Sequence, residues 1–269
     1  MPELPEVETT RRGIEPFLVE EKIKSIEVRQ PKLRWPVPEQ VQNLVGQRIE
    51  AIRRRGKYLI FDSASGHLIW HLGMSGSMRI LPVGDIPEKH EHIQLNLTSG
   101  NSLRYRDPRR FGALLFTDSD PLNHPLIATL GPEPLSQAFN TGYLSECCKK
   151  RQSTIKSIIM DSHIVVGVGN IYACESLFKA GINPKTRGGR ISRTRLEHLV
   201  NAIKTVLAQA ITQGGTTLQD FTQADGKPGY FSQSLNVYGQ DGPCPVCRSP
   251  IRRITLAQRS TYYCPVCQR

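Results

Sequence analysis

Residues 2–19 carry a helical apolar pattern, and then the period changes. From 23 to 117 the segments KIKSIEVRQ, QRIEAIRRRGKYLIFD, HLIWHLG, SMRILP and HIQLNLTSGNSLRYRD alternate or run apolar, with Gly-, Pro- or Ser-containing turns between them. Short strands at that spacing predict a two-sheet sandwich or flattened barrel, against which the opening helix packs. LGPEPLSQAF (130–139) is proline-rich and aperiodic, as an interdomain linker would be. Helical patterns return at about 140–150, 152–160 and 170–180, and again at 192–213, where Leu196, Leu199, Val200, Ile203 and Leu207 mark one face. GGTTLQDFTQADGKPGYF (214–231) reads as a glycine-rich loop, and a cysteine module closes the chain. The expected architecture is α+β in two domains, β-rich in front and helical behind, ending in a metal finger.

Composition narrows the class. The chain has 269 residues, 38% hydrophobic and 22% charged, enough for two domains with buried cores. No apolar run approaches the roughly 18–20 residues that span a bilayer, and the start lacks a signal-peptide pattern, so a cytoplasmic protein is expected. The net charge of +11 becomes informative once located. Residues 1–139 are nearly neutral, with 18 Lys/Arg against 17 carboxylates. Residues 140–190 hold 8 against 3, and the last 29 hold 5 arginines against Asp241 alone. Charge concentrated this way suits a polyanion such as nucleic acid, although a solubility device or a loose acidic contact would also produce it.

Four of the seven cysteines form Cys244-Pro-Val-Cys247 and Cys264-Pro-Val-Cys267, sixteen residues apart. Each CxxC turn presents two thiolates to one ion, and two turns complete a closed tetrahedral site for structural zinc. Disulfides are the alternative, disfavoured in a reducing compartment. The hairpin between the pairs, IRRITLAQRSTYY, is too small for its own core and would depend on the metal. It carries Arg252, Arg253 and Arg259, as a groove or phosphate reader would.

Other motifs are weaker alone. In VVGVGNIYACESLF (165–178), Gly167 and Gly169 precede a helix starting near Asn170, an arrangement that suits a phosphate but equally a plain helix joint. Lys149, Lys150, Arg151 and Lys156 nearby favour the phosphate. RYRDPRRFGA (104–113) sets arginines beside Phe111, as needed to enter a base stack, or it is a solvated loop. Met74 in HLGMSGSMR is an exposed wedge or a core methionine. The histidines of KHEH (89–92) lack a third metal ligand, which leaves His90 a phosphate contact or a surface residue. Lys57, where three arginines give way to an apolar strand, could move protons or merely snorkel.

The first residues, MPELPEVETT, pose the sharpest choice. With Met1 removed, the chain would begin with the secondary amine of Pro2. An α-amino group titrates near ~7.7–8.0, so it is partly neutral and nucleophilic at neutral pH. Attack on a sugar C1′ would give an iminium ion, with Glu3 beside it to move protons. The bland reading is a helix start, where proline and carboxylates both belong.

PELPEVETTRRGIEPFL, RRRGKYL, HLGMSGS, RYRDPRRFG, GPEPL, VVGVGNIYACESLF, QGGTTLQDF, DGKPGYF and QRSTYYCPVCQ, in this order and over essentially the whole chain, resemble the bacterial formamidopyrimidine-DNA glycosylases. PELPE rather than PEGPE sets the chain apart from endonuclease VIII. The resemblance implies a β-sandwich catalytic domain over 1–131, a linker at 132–139, a helix–two-turn–helix domain over 140–234 and a zinc finger over 235–269. It implies excision of 8-oxoguanine and formamidopyrimidines from double-stranded DNA, then β,δ-elimination, by a monomer at the bacterial nucleoid. On the matching positions, Pro2 would be the Schiff-base nucleophile, Glu3 the proton donor that helps open the sugar, Lys57 the proton donor of β-elimination and Arg259 the phosphate ligand of δ-elimination. Met74, Arg109 and Phe111 would fill the space left by the extruded nucleotide. Lys156 and Asn170 would hold phosphates, His90 would touch DNA, and residues 217–230 would close over the flipped base in a cleft between the domains. Cys174 and Gly56 depart from the family's serine and alanine at positions without a role. Two other readings keep the scaffold: an endonuclease VIII-like glycosylase for oxidised pyrimidines, and a non-catalytic zinc-finger protein for damaged DNA. The second has no use for Pro2, Glu3 and Lys57 together.

Overall fold

The computed structural model describes residues 1–216 and 231–269. The described chain forms two compact units. One is Met1–Thr129 with the segment that begins at Gln213, and the other is Leu130–Thr212 with Phe231–Arg269. None of the described helices is long and apolar enough to cross a membrane.

The first unit begins with α1 (Leu4–Leu18), whose Pro5 sits in the first turn, where its missing N–H costs nothing. Val7, Ile14 and Leu18 bury one face of α1 in a core shared with both sheets. One sheet runs β2 (Ala51–Arg55), β3 (Tyr58–Ser63), β4 (Gly66–His71) and β8 (Ala113–Thr117). The other has the order β1 (Ile23–Val28), β6 (Glu91–Leu97), β7 (Asn101–Arg106) and β5 (Ser77–Pro82). Every pairing is antiparallel, so alternate side chains from each sheet meet in the middle: Leu59, Phe61, Leu68 and Trp70 from one, Ile93, Leu95, Leu103 and Tyr105 from the other. This is the expected sandwich. Sequence periodicity did not mark the short helix α2 (Pro125–Ala128) or the 3₁₀ turn Glu39–Leu44, both shorter than a helical repeat can reveal.

The second unit is helical. It contains α3 (Thr141–Cys148), α4 (Ile155–Met160), α5 (Asn170–Lys179) and the long α6 (Arg193–Thr212). The five apolar residues expected on one face of α6 are all buried, each contributing ~1.5–3 kcal/mol. α3 stops two residues early because Lys150 adopts a left-handed φ of 56°. α4 starts late, at the Thr154 cap, whose hydroxyl accepts the Ser157 N–H. The chain ends in a hairpin of β9 (Arg252–Leu256) and β10 (Arg259–Tyr263).

Candidate functional site

The chain start is buried rather than frayed. Pro2 is buried, and Glu3, the residue before α1, is only 2% exposed. The Glu6 carboxylate fixes this end: its Oε2 accepts the Glu3 N–H at 2.8 Å, satisfying a donor that the helix leaves orphaned. Its Oε1 accepts both the N–H and the hydroxyl of Thr216, at 2.8 and 3.0 Å. One carboxylate thus joins the first residues to the root of the glycine-rich loop. Nothing in the local sequence pattern marks Glu6 for this role. The E-x-x-E spacing of Glu3 and Glu6 points to the helix cap alone, and Thr216 lies 210 positions away. Residues 217–230, expected to close over a base, lie outside the described residues.

Lys57 follows Gly56 in the tight turn between β2 and β3, where Gly56 has φ 58°. Two bonds connect this turn to α1. Arg54 Nε donates to Glu8 Oε2 at 3.0 Å, and Arg54 Nη1 donates to the Gly56 carbonyl, also at 3.0 Å. Burial pushes the Glu8 carboxyl up, but hydrogen bonds from Arg11 and Arg12 and the charges of Arg11 and Arg54 outweigh it and hold the group below its ordinary value. Arg11 also reaches the Ile52 carbonyl at 3.3 Å. The turn with Lys57 and the helix that begins beside Pro2 are therefore one framework.

Met74, Arg109 and Phe111 lie on two loops that touch through their backbones. Gly73 has φ 68°, and a Cβ there would stand 2.4 Å from the Phe111 carbonyl carbon and the Gly112 nitrogen. At Gly112 a Cβ would stand 1.8 Å from the Tyr105 hydroxyl. Asp107, fully buried, ties the loops together. Its Oδ1 accepts from the Ser75 hydroxyl at 2.6 Å, and its Oδ2 accepts from the Gly112 N–H at 2.8 Å and the Tyr105 hydroxyl at 3.1 Å. Ser75 Oγ in turn accepts the Arg109 N–H at 3.1 Å. Burial, and then Asp107, raise the Tyr105 phenol well above its ordinary value, so it stays a donor. Phe111 remains 46% exposed, with the Arg109 guanidinium 5.1 Å from its ring centroid. Phe111 is thus an exposed ring held out by buried hydrogen bonds, with a cation on its face. The Asp107 hub behind it was not foreseen, because D-P-R-R reads locally as a turn.

His71 closes the base of the Met74 loop, its Nδ1 accepting the Gly73 N–H at 3.0 Å. Burial, then the charges of Lys57 and Arg34, push its pKa down to about 4, so the ring is neutral. His90 adopts φ 73° and passes its carbonyl to the Asp107 N–H. Desolvation, then Lys89 and Arg106, lower its pKa.

In the second unit, Asn170 opens α5, and its side chain is shared between α4 and the hairpin. Asn170 Oδ1 accepts from Lys156 Nζ at 2.5 Å, and Nδ2 donates to the Ser260 carbonyl at 2.8 Å. Lys156 is 2% exposed, and its ammonium also donates to Thr261 Oγ1 at 2.6 Å. A charge-assisted, buried lysine fixes Asn170 and the hairpin, the two groups beside which the expected phosphate contact would lie. Lys150 and Arg151 are exposed.

The four predicted cysteines come together. All their sulfurs lie within 4.8 Å of one another, with Cys244–Cys267 at 3.9 Å and Cys247–Cys264 at 3.4 Å. Zn–S bonds of about 2.3 Å in a tetrahedron put sulfurs about 3.8 Å apart, so the quartet fits one structural zinc ion. Gln268 braces the second turn: its Oε1 accepts the Cys264 N–H at 2.8 Å, and its Nε2 donates to the Ile182 carbonyl at 2.9 Å. The hairpin turn places Ala257 and Gln258 at φ 47° and 60°, immediately before Arg259, which is exposed.

Three family models match the chain: the formamidopyrimidine-DNA glycosylase N-terminal domain at 1–114, the formamidopyrimidine-DNA glycosylase H2TH domain at 130–222, and the zinc finger found in FPG and IleRS at 242–269. Curated formamidopyrimidine-DNA glycosylases of Shewanella loihica and Photobacterium profundum are 56% and 54% identical, over 100% of this chain and 99% and 100% of theirs. The crystal structure of the MutM (Fpg) protein from Thermus thermophilus is 38% identical with a TM-score of 0.90, covering 99% of this chain and 98% of that one. Lactococcus lactis Fpg bound to DNA containing N7-benzyl-Fapy-dG is 36% identical with a TM-score of 0.92, covering 100% of both chains.

Proposed function

The chain belongs to the formamidopyrimidine-DNA glycosylase family, and on that premise we propose that it excises oxidised purines from duplex DNA through a Pro2 iminium intermediate and then nicks the strand. The observation that carries the reading is the buried start of the chain, where Pro2 stands beside Glu3 and Glu6 fixes the backbone between them and α1. A terminus held this way is prepared for chemistry; an ordinary one would be solvated.

Removal of Met1 exposes the Pro2 amine. With the damaged nucleotide turned out of the stack, the amine attacks C1′. A C1′–N bond forms, the bond from C1′ to the base breaks and the base leaves with that electron pair and the proton the amine gives up, and Glu3 protonates the ring oxygen as the sugar opens to the iminium. Loss of a C2′ proton then expels the 3′ phosphate, with Lys57 serving proton transfer, and a second elimination expels the 5′ phosphate held by Arg259. Met74 and Phe111 fill the vacated stack, and Arg109 faces the orphaned cytosine. Asn170, Lys156 and His90, with Lys150 and Arg151, hold the backbone, and Lys156 also orients Asn170. The labour divides over a catalytic segment 1–131, a linker 132–139, a gripping segment 140–234 and a zinc finger 235–269. A single chain supplies every part, as a monomer acting on bacterial chromosomal DNA requires.

The test is borohydride trapping on a duplex with one 8-oxoguanine opposite cytosine, followed by peptide mapping. A crosslink at Pro2 is expected, together with a nick carrying phosphates at both ends. Pro2→Gly should trap far less while still binding. A crosslink mapped to another residue would sink the Pro2 assignment. Faster excision of thymine glycol than of 8-oxoguanine would sink the lesion class.

A further inference from the structure

The front unit and the finger do not account for the largest concentration of positive charge. Residues 149–154 carry Lys149, Lys150 and Arg151 with no carboxylate, and residues 185–195 carry five cations among eleven residues, again with none. The fold brings these stretches together. Gly189 N–H donates to the Arg151 carbonyl at 3.1 Å, Gly188 N–H to the Ser153 carbonyl at 3.0 Å, and Ile155 N–H to the Thr186 carbonyl at 2.7 Å. Arg187 pairs with Thr154 in a β-bridge and donates from Nη1 to Gln152 Oε1 at 2.9 Å. Gly189 is close enough that a Cβ would stand 3.3 Å from the Arg151 carbonyl oxygen. The result is a short two-stranded ribbon. Lys149, Lys150, Arg151, Lys185, Arg187 and Arg190 are all exposed on it, and Glu146, 3.5 Å from Lys149, is the one acid in an ion pair with the ribbon among the described residues.

Like charges crowded on paired backbone repel one another, which costs stability unless a polyanion covers them. The ribbon also runs into the proposed phosphate grip from both strands. On one, Ile155 is followed by Lys156, which holds Asn170. On the other, Thr186 is preceded by Lys185, whose ammonium lies 5.5 Å from the Tyr263 ring of the hairpin. Tyr263 is paired with Arg252, and Ser260 two positions past its turn accepts from Asn170. Basic residues thus continue from hairpin to ribbon within one unit.

We propose that the Lys185, Arg187 and Arg190 strand of this ribbon is a second, lesion-independent contact to the phosphate backbone of double-stranded DNA, continuing from Lys150 and Arg151 beyond the duplex segment gripped by Asn170 and Arg259. It deepens the DNA-repair reading by extending the footprint along undamaged duplex, where an enzyme that searches for rare lesions spends its time. Cations spaced along a ribbon, with no aromatic ring among the exposed side chains of either strand, suit phosphates and offer nothing to unstacked bases.

The test compares the wild type with a Lys185→Gln, Arg187→Gln, Arg190→Gln variant, in residues outside the catalytic and gripping sets. Binding to undamaged duplexes of about 12 and about 30 base pairs is measured against salt concentration. On the long duplex the slope of log affinity against log salt should fall by about 2–3, because each phosphate contact contributes about 0.9. Affinity at low salt should drop at least tenfold. On the short duplex both quantities should stay unchanged, as should single-turnover excision of 8-oxoguanine at saturating enzyme. An unchanged slope on the long duplex, with the variant folded by circular dichroism, overturns the proposal. An equal loss on both lengths overturns the flanking placement. Wild-type binding to vesicles rich in phosphatidylserine that disappears in the variant, with DNA slopes intact, would reassign the ribbon to lipid. A wild type that fails to excise while these slopes behave as expected would count against the repair reading alone.

Discussion

The wedge of the front unit and the finger of the rear unit both hold an arginine out into solvent, and they are made rigid by opposite means. Behind Arg109 stands a buried carboxylate with three donors on it and two glycine backbones in direct contact. Behind Arg259 stands a two-residue turn and a cysteine quartet, with little core of its own. The first region is stabilised by groups already inside a hydrophobic sandwich, so each hydrogen bond is protected from water. The second is docked on the helices by a few polar bonds through Lys156, Asn170 and Gln268, and the rest of its order is supplied by an ion. Where a core exists, a single well-placed acid suffices; where none exists, the chain recruits a metal.

The largest effect should come from removing that metal. Structural zinc contributes on the order of 10 kcal/mol to a domain of this kind. Cys264→Ser, or a strong chelator, should therefore disorder the hairpin and weaken DNA binding by two orders of magnitude or more. Calorimetry should meanwhile show the front unit's transition little changed. A front unit that melts with the finger would erase the contrast.

Asp107→Ala is the corresponding lesion in the wedge. It strands the Ser75 and Tyr105 hydroxyls and the Gly112 N–H in a buried site, at about 1–3 kcal/mol for each group left without a partner. Excision should fall further than stability requires, whereas trapping on a pre-formed abasic site should largely survive, since Pro2 is untouched. Asp107→Asn, which keeps some acceptors, should lie between. Equal loss in both assays would mean that the hub supports the whole unit rather than the wedge.

A smaller effect follows from His71. Its folded pKa of about 4 lies below the ordinary 6.5, so between those values the unfolded chain takes up a proton that the folded chain refuses. Stability should fall as pH drops from about 6.5 towards 4, by roughly 3 kcal/mol at most. His71→Asn should flatten that slope while losing the bond to Gly73. Denaturant midpoints across this window provide the check.

The smallest change should be a gain. Ala257 and Gln258 both occupy left-handed backbone that Asn-Gly prefers. Ala257→Asn with Gln258→Gly should raise finger stability by about 1 kcal/mol in zinc-competition experiments. No gain would mean that the metal alone sets the turn.

Much of this was legible in the chain. Period-two runs marked the strands, one apolar face marked α6, and C-x₂-C spacing marked the quartet, because each is a local regularity. What escaped was long-range. Glu6 meets Thr216, Asp107 meets Ser75, and Lys156 meets Thr261, each across a separation that no window of sequence reports. Lys156 is instructive: its basic neighbours suggested a phosphate contact, but its burial is decided by the hairpin about a hundred residues downstream.

In mechanical language, the wedge is a cantilever clamped at Asp107. A duplex leaning on the Phe111 ring, as proposed, would apply a sideways load, and the peptide planes of Gly73 and Gly112, in contact without a side chain between them, would transmit it with almost no slack. Met74 must move when Phe111 moves. On the proposed role, the trio would press on a base pair as one stiff finger-nail, and pairs that yield easily would be the ones it opens.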